Sequence, residues 1–146
     1  MFSLRPATET DQEAIKALIK EAGINPLSLK WSRFIIAMNK DGNFIGWGQV
    51  KPYRDGSMEL ASIAVKREFR RQGVARALIT ELQQIYGRPL WLTCISQLVP
   101  FYEPFGFVEI TDLKAMPPFF KRAKRFFKLY IALTRKNLKL AVMVWQ

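Results

Sequence analysis

Val-Lys-Arg-Glu-Phe-Arg-Arg-Gln-Gly-Val-Ala-Arg-Ala-Leu, residues 65–78, joins two elements of different period. Before it, residues 58–65 read as a mostly buried strand. After it, Val74, Ala77, Leu78, Leu82 and Ile85 recur at helical spacing. The junction holds arginines, a glutamine and a glycine just where a helix opens. Backbone N–H groups and the positive end of the helix dipole converge at such a point. The stretch therefore reads as a phosphate cradle, reinforced by Arg70, Arg71 and Arg76.

The rest of the chain supplies the frame. Its 146 residues, 49% hydrophobic and 13% aromatic, suffice for one domain with a sizeable core and exclude a disordered chain. No apolar run approaches the roughly 20 residues that span a bilayer. The N-terminus lacks a secretory pattern, and the single cysteine excludes an internal disulfide, so a cytoplasmic setting is expected. There is no histidine. Acid–base work then falls to carboxylates, Tyr, Lys or Cys, and no metal is expected.

Phe2 to Arg5 reads as a short strand, and Thr10 or Asp11 as the cap of a helix closed by Gly23 and Pro26. Residues 27–33 read as either a short helix or a loop. Strands at 34–38, 44–51 and 58–65 form an antiparallel meander whose first turn is Asn39-Lys40-Asp41-Gly42-Asn43. A helix from about Gly73 to Tyr86 leads to a buried strand at 90–94, which implies a parallel pairing. A short helix at 98–105, a strand at 107–110, a helix at 117–136 and a closing strand at 139–145 complete the chain. The expectation is an α/β (α+β) fold: one domain, 1–146, with a mixed, mostly antiparallel sheet of about six or seven strands flanked by helices.

The net charge of +11 is unevenly placed. Residues 1–113 hold 14 Lys and Arg against all 12 acidic residues, whereas 114–146 hold nine cations and no acid. On a helical wheel, Phe119, Ala123, Phe126, Phe127, Tyr130, Ile131 and Leu133 share one broad face, expected to cover the sheet. Lys121, Lys124, Arg125, Lys128, Arg135 and Lys136 share the other, with Arg122 on the border. The cations repel one another unless something screens them. An acidic protein, an anionic membrane surface and nucleic acid all fit as partners of 117–136.

Two motifs in this order resemble the GCN5-related N-acetyltransferase (GNAT) superfamily. Its phosphate loop, Arg/Gln-x-x-Gly-x-Gly/Ala, corresponds to Arg70-Arg71-Gln72-Gly73-Val74-Ala75. A second motif corresponds to Phe101-Tyr102-Glu103-Pro104-Phe105-Gly106-Phe107. The similarity covers about residues 2–110 and the last strand, so the basic segment at 114–138 reads as an insertion.

The resemblance implies an acetyl-CoA-dependent N-acetyltransferase, with acetyl-CoA as co-substrate and direct attack of an amine on the thioester. Main-chain groups of Ile63 and Val65 would hold pantetheine where their strand splays from its parallel neighbour. The N–H near Ala64 would polarise the thioester carbonyl. The N–H groups of Arg71, Gln72, Gly73, Val74 and Ala75 would take the pyrophosphate, with Arg70 and Arg76 beside them. Ser96 stands where the family often has asparagine against pantetheine, and Arg67 where it often has proline. Tyr102 matches the family's acid for the departing thiolate, and Glu59 a position used as base. Two other readings remain open: transfer of a longer acyl group, and a non-catalytic CoA-binding or interaction module working through the basic helix.

Overall fold

Seven strands form one mixed, mostly antiparallel sheet of order β1-β2-β3-β4-β5-β7-β6 in the computed structural model. It describes residues 1–21 and 29–146. The strands are β1 (Phe2–Pro6), β2 (Phe34–Asn39), β3 (Phe44–Pro52), β4 (Met58–Val65), β5 (Leu90–Ile95), β6 (Val108–Ile110) and β7 (Leu140–Trp145). Four α-helices accompany them: α1 (Gln12–Glu21), α2 (Val74–Tyr86), the single turn α3 (Val99–Tyr102) and α4 (Pro118–Thr134). The expected closure of α1 by Gly23 and Pro26, and the first residues of the helix-or-loop segment at 27–33, lie outside the described residues. Trp31–Arg33 is a 3₁₀ turn.

The chain falls into two compact units. One comprises Met1–Lys51 and Leu60–Ile85, the other Pro52–Glu59 and Tyr86–Gln146.

In the first unit, β1 and β2 pair antiparallel from Phe2↔Asn39 to Pro6↔Ile35, and β2 and β3 from Phe34↔Gln49. The turn between β2 and β3 is held by Asn39, whose side-chain oxygen accepts from Asp41 and Asn43 N–H. Ile15 and Ile19 of α1 pack with Phe34, Ile36 and Trp47. Each such burial contributes roughly 1.5–3 kcal/mol, so the amphipathic pattern of α1 is what holds it on the sheet. Helix α2 lies against β3 at two glycines. A Cβ on Gly46 would sit 3.1 Å from Val74 Cγ1, and one on Gly48 3.2 Å from Leu82 Cδ1.

The start of α1 differs from the sequence expectation. Its cap is neither Thr10 nor Asp11; the chain first makes a 3₁₀ turn over Glu9–Asp11 with Thr8 as cap. Asp11 instead accepts from Thr8 N–H at 2.7 Å and from both Arg5 amino groups at 2.7 and 3.0 Å. The Arg5 guanidinium is the chief reason the Asp11 carboxyl is held well below the usual carboxylate range.

In the second unit, β4 meets β5 in parallel at Glu59↔Trp91. Strand β7 pairs antiparallel with β5 along its length (Leu90↔Trp145 to Ile95↔Leu140) and with β6 (Val108↔Val144 to Ile110↔Val142). The first turns of α4 close this unit's core. Phe120 is fully buried and stacks on Trp91 at 5.5 Å, among Met116, Val142 and Val144. Phe119 stacks on Tyr53 at 3.6 Å.

The broad apolar face expected to cover the sheet does so only in part. Ala123, Phe127 and Ile131 are half-buried, whereas Phe126 is 72%, Tyr130 39% and Leu133 76% exposed. The helix ends at Thr134, two residues earlier than the pattern suggested, where Arg135 adopts a left-handed conformation, φ 57°. No described helix is long and apolar enough to cross a membrane.

Candidate functional site

The phosphate-loop residues lie in the first unit, between the end of β4 and the start of α2. After Val65 the chain is tied back by Lys66 N–H to Ile45 O at 2.8 Å and makes a 3₁₀ turn over Arg67–Phe69. Arg70 turns its Nε to Val65 O at 3.0 Å, which fixes the loop's entry. Arg71 (φ 64°) and Gly73 (φ 84°) both take the left-handed conformation before the helix begins. At Gly73 this suits only glycine well. An added Cβ there would meet nothing within 4 Å, so the space over the backbone is open to a ligand.

Among the described residues, no backbone bond formed in this loop uses the N–H groups of Arg71, Gln72, Gly73, Val74 or Ala75. The first N–H groups of a helix have no partner inside it. The loop is exposed from Arg70 to Gly73 and Val74 is buried beneath it. Free donors, a positive helix end and exposed arginines are what a phosphate oxygen requires.

Strand β4 carries a second irregularity just before the loop. Ser62 is left-handed at φ 57° inside the strand, and its hydroxyl accepts from Gln49 Nε2 at 2.9 Å. Such a conformation costs a non-glycine residue about 1–2 kcal/mol. Buried Gln49 holds the bend, so Ile63, Ala64 and Val65 follow a fixed break in the pleat rather than a regular strand.

Below the loop opens a cleft of about 380 Å³, lined in part by Trp47, Ala64, Val65, Lys66, Arg67 and Arg70. Trp47 was not singled out by the sequence. Its ring is 4% exposed, and its Nε1 has no hydrogen-bond partner among the described residues. Its position between Gly46 and Gly48 is the only trace of this in the sequence: the glycines receive α2 on one face while the indole occupies the other.

The candidate acid and base lie in the second unit. Tyr102, at the end of α3, packs edge-on to Phe101 at 4.9 Å and Phe107 at 6.1 Å. Its hydroxyl has no hydrogen-bond partner among the described residues. Burial pushes its pKa up to about 12, and the neighbouring Cys94 thiolate would push the same way. Tyr102 is thus firmly protonated at neutral pH. Cys94 is itself buried, and burial raises its thiol, which marks it as a core residue rather than a nucleophile.

Glu59 is also buried, at 8% exposure. Its Oε1 accepts from the Tyr53 hydroxyl at 2.5 Å and its Oε2 from Thr93 Oγ1 at 3.3 Å. A buried carboxylate needs such donors to remain charged. Ser96 gives its N–H to Lys139 O at 2.9 Å, and its hydroxyl makes only a long contact with Gln97. Among the described residues no group of three or more Cys, Asp and Glu could hold a metal ion.

Residues 3–107 match the model of the acetyltransferase (GNAT) family. Among solved structures, Rv2747 from Mycobacterium tuberculosis in complex with CoA superposes with a TM-score of 0.73 at 19% identity, over 97% of each chain. N-acetylglutamate synthase from Neisseria gonorrhoeae, complexed with coenzyme A and N-acetyl-glutamate, gives 0.66 at 20% identity over 100% of this chain and 35% of its own. NAA60 from Arabidopsis thaliana with a bisubstrate analogue gives 0.63 at 14% identity over 99% and 97%. A comparison with curated proteins finds no match. With 105 of its 146 residues under the family's model, the chain belongs to the acetyltransferase (GNAT) family.

Proposed function

We propose that the chain is an acetyl-CoA-dependent N-acetyltransferase that acts in the cytoplasm on an amine, and that residues 1–146 work as one catalytic domain with 114–138 as an addition. The observation that carries the reading is the loop itself: with Arg71 and Gly73 left-handed, the N–H groups of 71–75 have no backbone partner among the described residues at the head of α2. Those groups would hold the pyrophosphate, with Arg70, Arg71 and Arg76 supplying countercharge. Main-chain groups of Ile63 and Val65 and the Ser96 hydroxyl would take the pantetheine arm, and the Ala64 N–H would face the thioester carbonyl.

Acetyl-CoA supplies an activated acyl group, and the chain's residues supply the proton transfers. Tyr102, protonated and with no hydrogen-bond partner among the described residues, would give its proton to the departing thiolate. Glu59 would take the proton of the incoming amine, through water, as its oxygens are engaged by Tyr53 and Thr93. A product bearing an acetylated amine sits in the N-acetylglutamate synthase complex, which supports an amine as acceptor here. Titration calorimetry with acetyl-CoA is the direct test. Absence of binding at millimolar concentration removes the proposal.

The engagement of both Glu59 oxygens favours a second reading, a CoA-binding module without turnover. It predicts acetyl-CoA binding with no CoA release across a panel of small amines, amino acids and peptides. Release with any of them selects the enzyme.

A further inference from the structure

Helix α4 presents two apolar sectors, and only one of them has a partner. At about 100° per residue, Phe120, Ala123, Phe127 and Ile131 fall on one arc, the one that is buried or half-buried. Phe126, Leu129, Tyr130 and Leu133 fall on a second arc about 100° wide, and all four are exposed. Single exposed hydrophobic side chains are ordinary; four at positions i, i+3, i+4 and i+7 make a continuous stripe.

The same helix carries Lys121, Arg122, Lys124, Arg125 and Lys128, and Arg135 and Lys136 follow it. Arg122 continues the line of the stripe towards the helix start, and Arg125 borders it. Lys121 and Lys128 come next around the helix. Among the described residues none of these cations forms an ion pair; only Arg122 lies near enough to a carboxylate, Asp55, for its charge to hold that group low. Lys136 instead lies 5.5 Å over the Tyr130 ring and bonds its hydroxyl at 3.2 Å. A cation and an aromatic hydroxyl thus meet at the rim of the stripe.

We propose that the outer face of α4 docks on an anionic lipid surface. The stripe would enter the boundary between headgroups and acyl chains, and the flanking cations would meet lipid phosphates. Tyr130, with its hydroxyl at the rim, suits the level of the interface. Nucleic acid would answer the charge and leave Phe126, Leu129 and Leu133 in water, since single-stranded bases want aromatics interleaved with cations. An acidic protein would need a hydrophobic groove edged with carboxylates on one side of the helix. A bilayer offers both properties along any line of contact.

The test is co-sedimentation of the whole protein with sucrose-loaded vesicles. Mixed phosphatidylcholine–phosphatidylglycerol vesicles should bind it at least about tenfold more tightly than phosphatidylcholine alone. Salt sufficient to shorten the Debye length to about 3 Å should remove most of that preference. The double variant Phe126→Ser, Leu133→Ser keeps every charge and touches no core contact, so its melting temperature should match the parent. Its binding to the anionic vesicles should fall at least about tenfold. Changing Lys121, Lys124, Arg125 and Lys128 to Glu should abolish binding. No binding to anionic vesicles, equal binding to both kinds, or full binding by the Phe126→Ser, Leu133→Ser protein would each overturn the proposal. In the first case, binding of the protein to polyglutamate or to RNA would identify the alternative partner class.

Discussion

The Asp55 carboxylate accepts a hydrogen bond from the Phe119 backbone N–H at 2.9 Å, although 64 residues separate them. Helix α4 opens with Pro117 and Pro118, neither of which has a capping side chain, and Asp55 does that work from another part of the chain. Its carboxylate is already positioned by Ser57, whose N–H and hydroxyl both donate to Oδ1.

Removing this cap should loosen α4 from its first turn. Asp55→Ala is expected to cost about 1 kcal/mol, a fall of about 2–4 °C in melting temperature for a chain of this size. The Ser57 hydroxyl, and then the Phe119 N–H, hold the Asp55 pKa below its ordinary value. Its contribution is therefore complete above the unfolded pKa near ~3.9 and is lost as pH falls through the lower folded value. Urea unfolding at neutral pH and in acid checks both. The gap between parent and variant should close in acid and stay open at neutral pH.

Gly73 makes a separable prediction about the loop. With no atom within 4 Å of its missing Cβ, the cost of Gly73→Ala is conformational, about 1–2 kcal/mol for holding φ at 84°. Acetyl-CoA affinity should drop as the loop relaxes. Gly73→Asp adds a negative charge where the pyrophosphate would lie, and calorimetry should show no binding at millimolar concentration. Wild-type affinity in the aspartate variant would place the phosphates elsewhere.

These two sites show what could be read in advance. The loop was legible because a change of period, from strand to helix, brackets a glycine and arginines within a dozen residues. Its geometry is local. Asp55 was not legible, since its partner lies 64 residues away and nothing near either residue marks the contact. The strands expected at 34–38, 44–51 and 58–65 match the observed ones to within one residue, read from turn residues and alternation. The outer face of α4 was misread because two apolar sectors, one inward and one exposed, merge on a wheel into a single broad arc. Thr8 was missed as a cap because a 3₁₀ turn, which has no sequence period of its own, precedes α1.

Tyr102 has a hydroxyl kept protonated by burial, with pKa pushed up to about 12. If it supplies the leaving thiolate's proton, Tyr102→Phe should lower kcat by about 10²–10⁴-fold and leave acetyl-CoA affinity nearly unchanged. Loss of that proton requires pH well above neutrality. The parent's kcat should then show no descending limb between pH 7 and 9 assignable to this group. A descending limb in that range that disappears in Tyr102→Phe would contradict the burial argument, and unchanged kcat would remove Tyr102 from the mechanism.

Trp47 tests whether the cleft beside Ala64 and Val65 is a binding site. Its buried Nε1 donates to no described residue, and an unsatisfied buried donor costs about 1–3 kcal/mol. Trp47→Phe removes that cost and also removes ring volume, which leaves a cavity. The two effects oppose each other, so stability should change by less than the larger of them alone. Affinity should respond differently. If a ligand acceptor atom completes the indole N–H, losing that one bond weakens the ligand by about 0.5–1.5 kcal/mol, roughly a two- to twelvefold rise in KM. Measuring KM for acetyl-CoA and for the acceptor separately would show which of them occupies the cleft. A variant with both values unchanged would make Trp47 a packing residue of the α1 face, among Ile15, Ile19, Phe34 and Ile36.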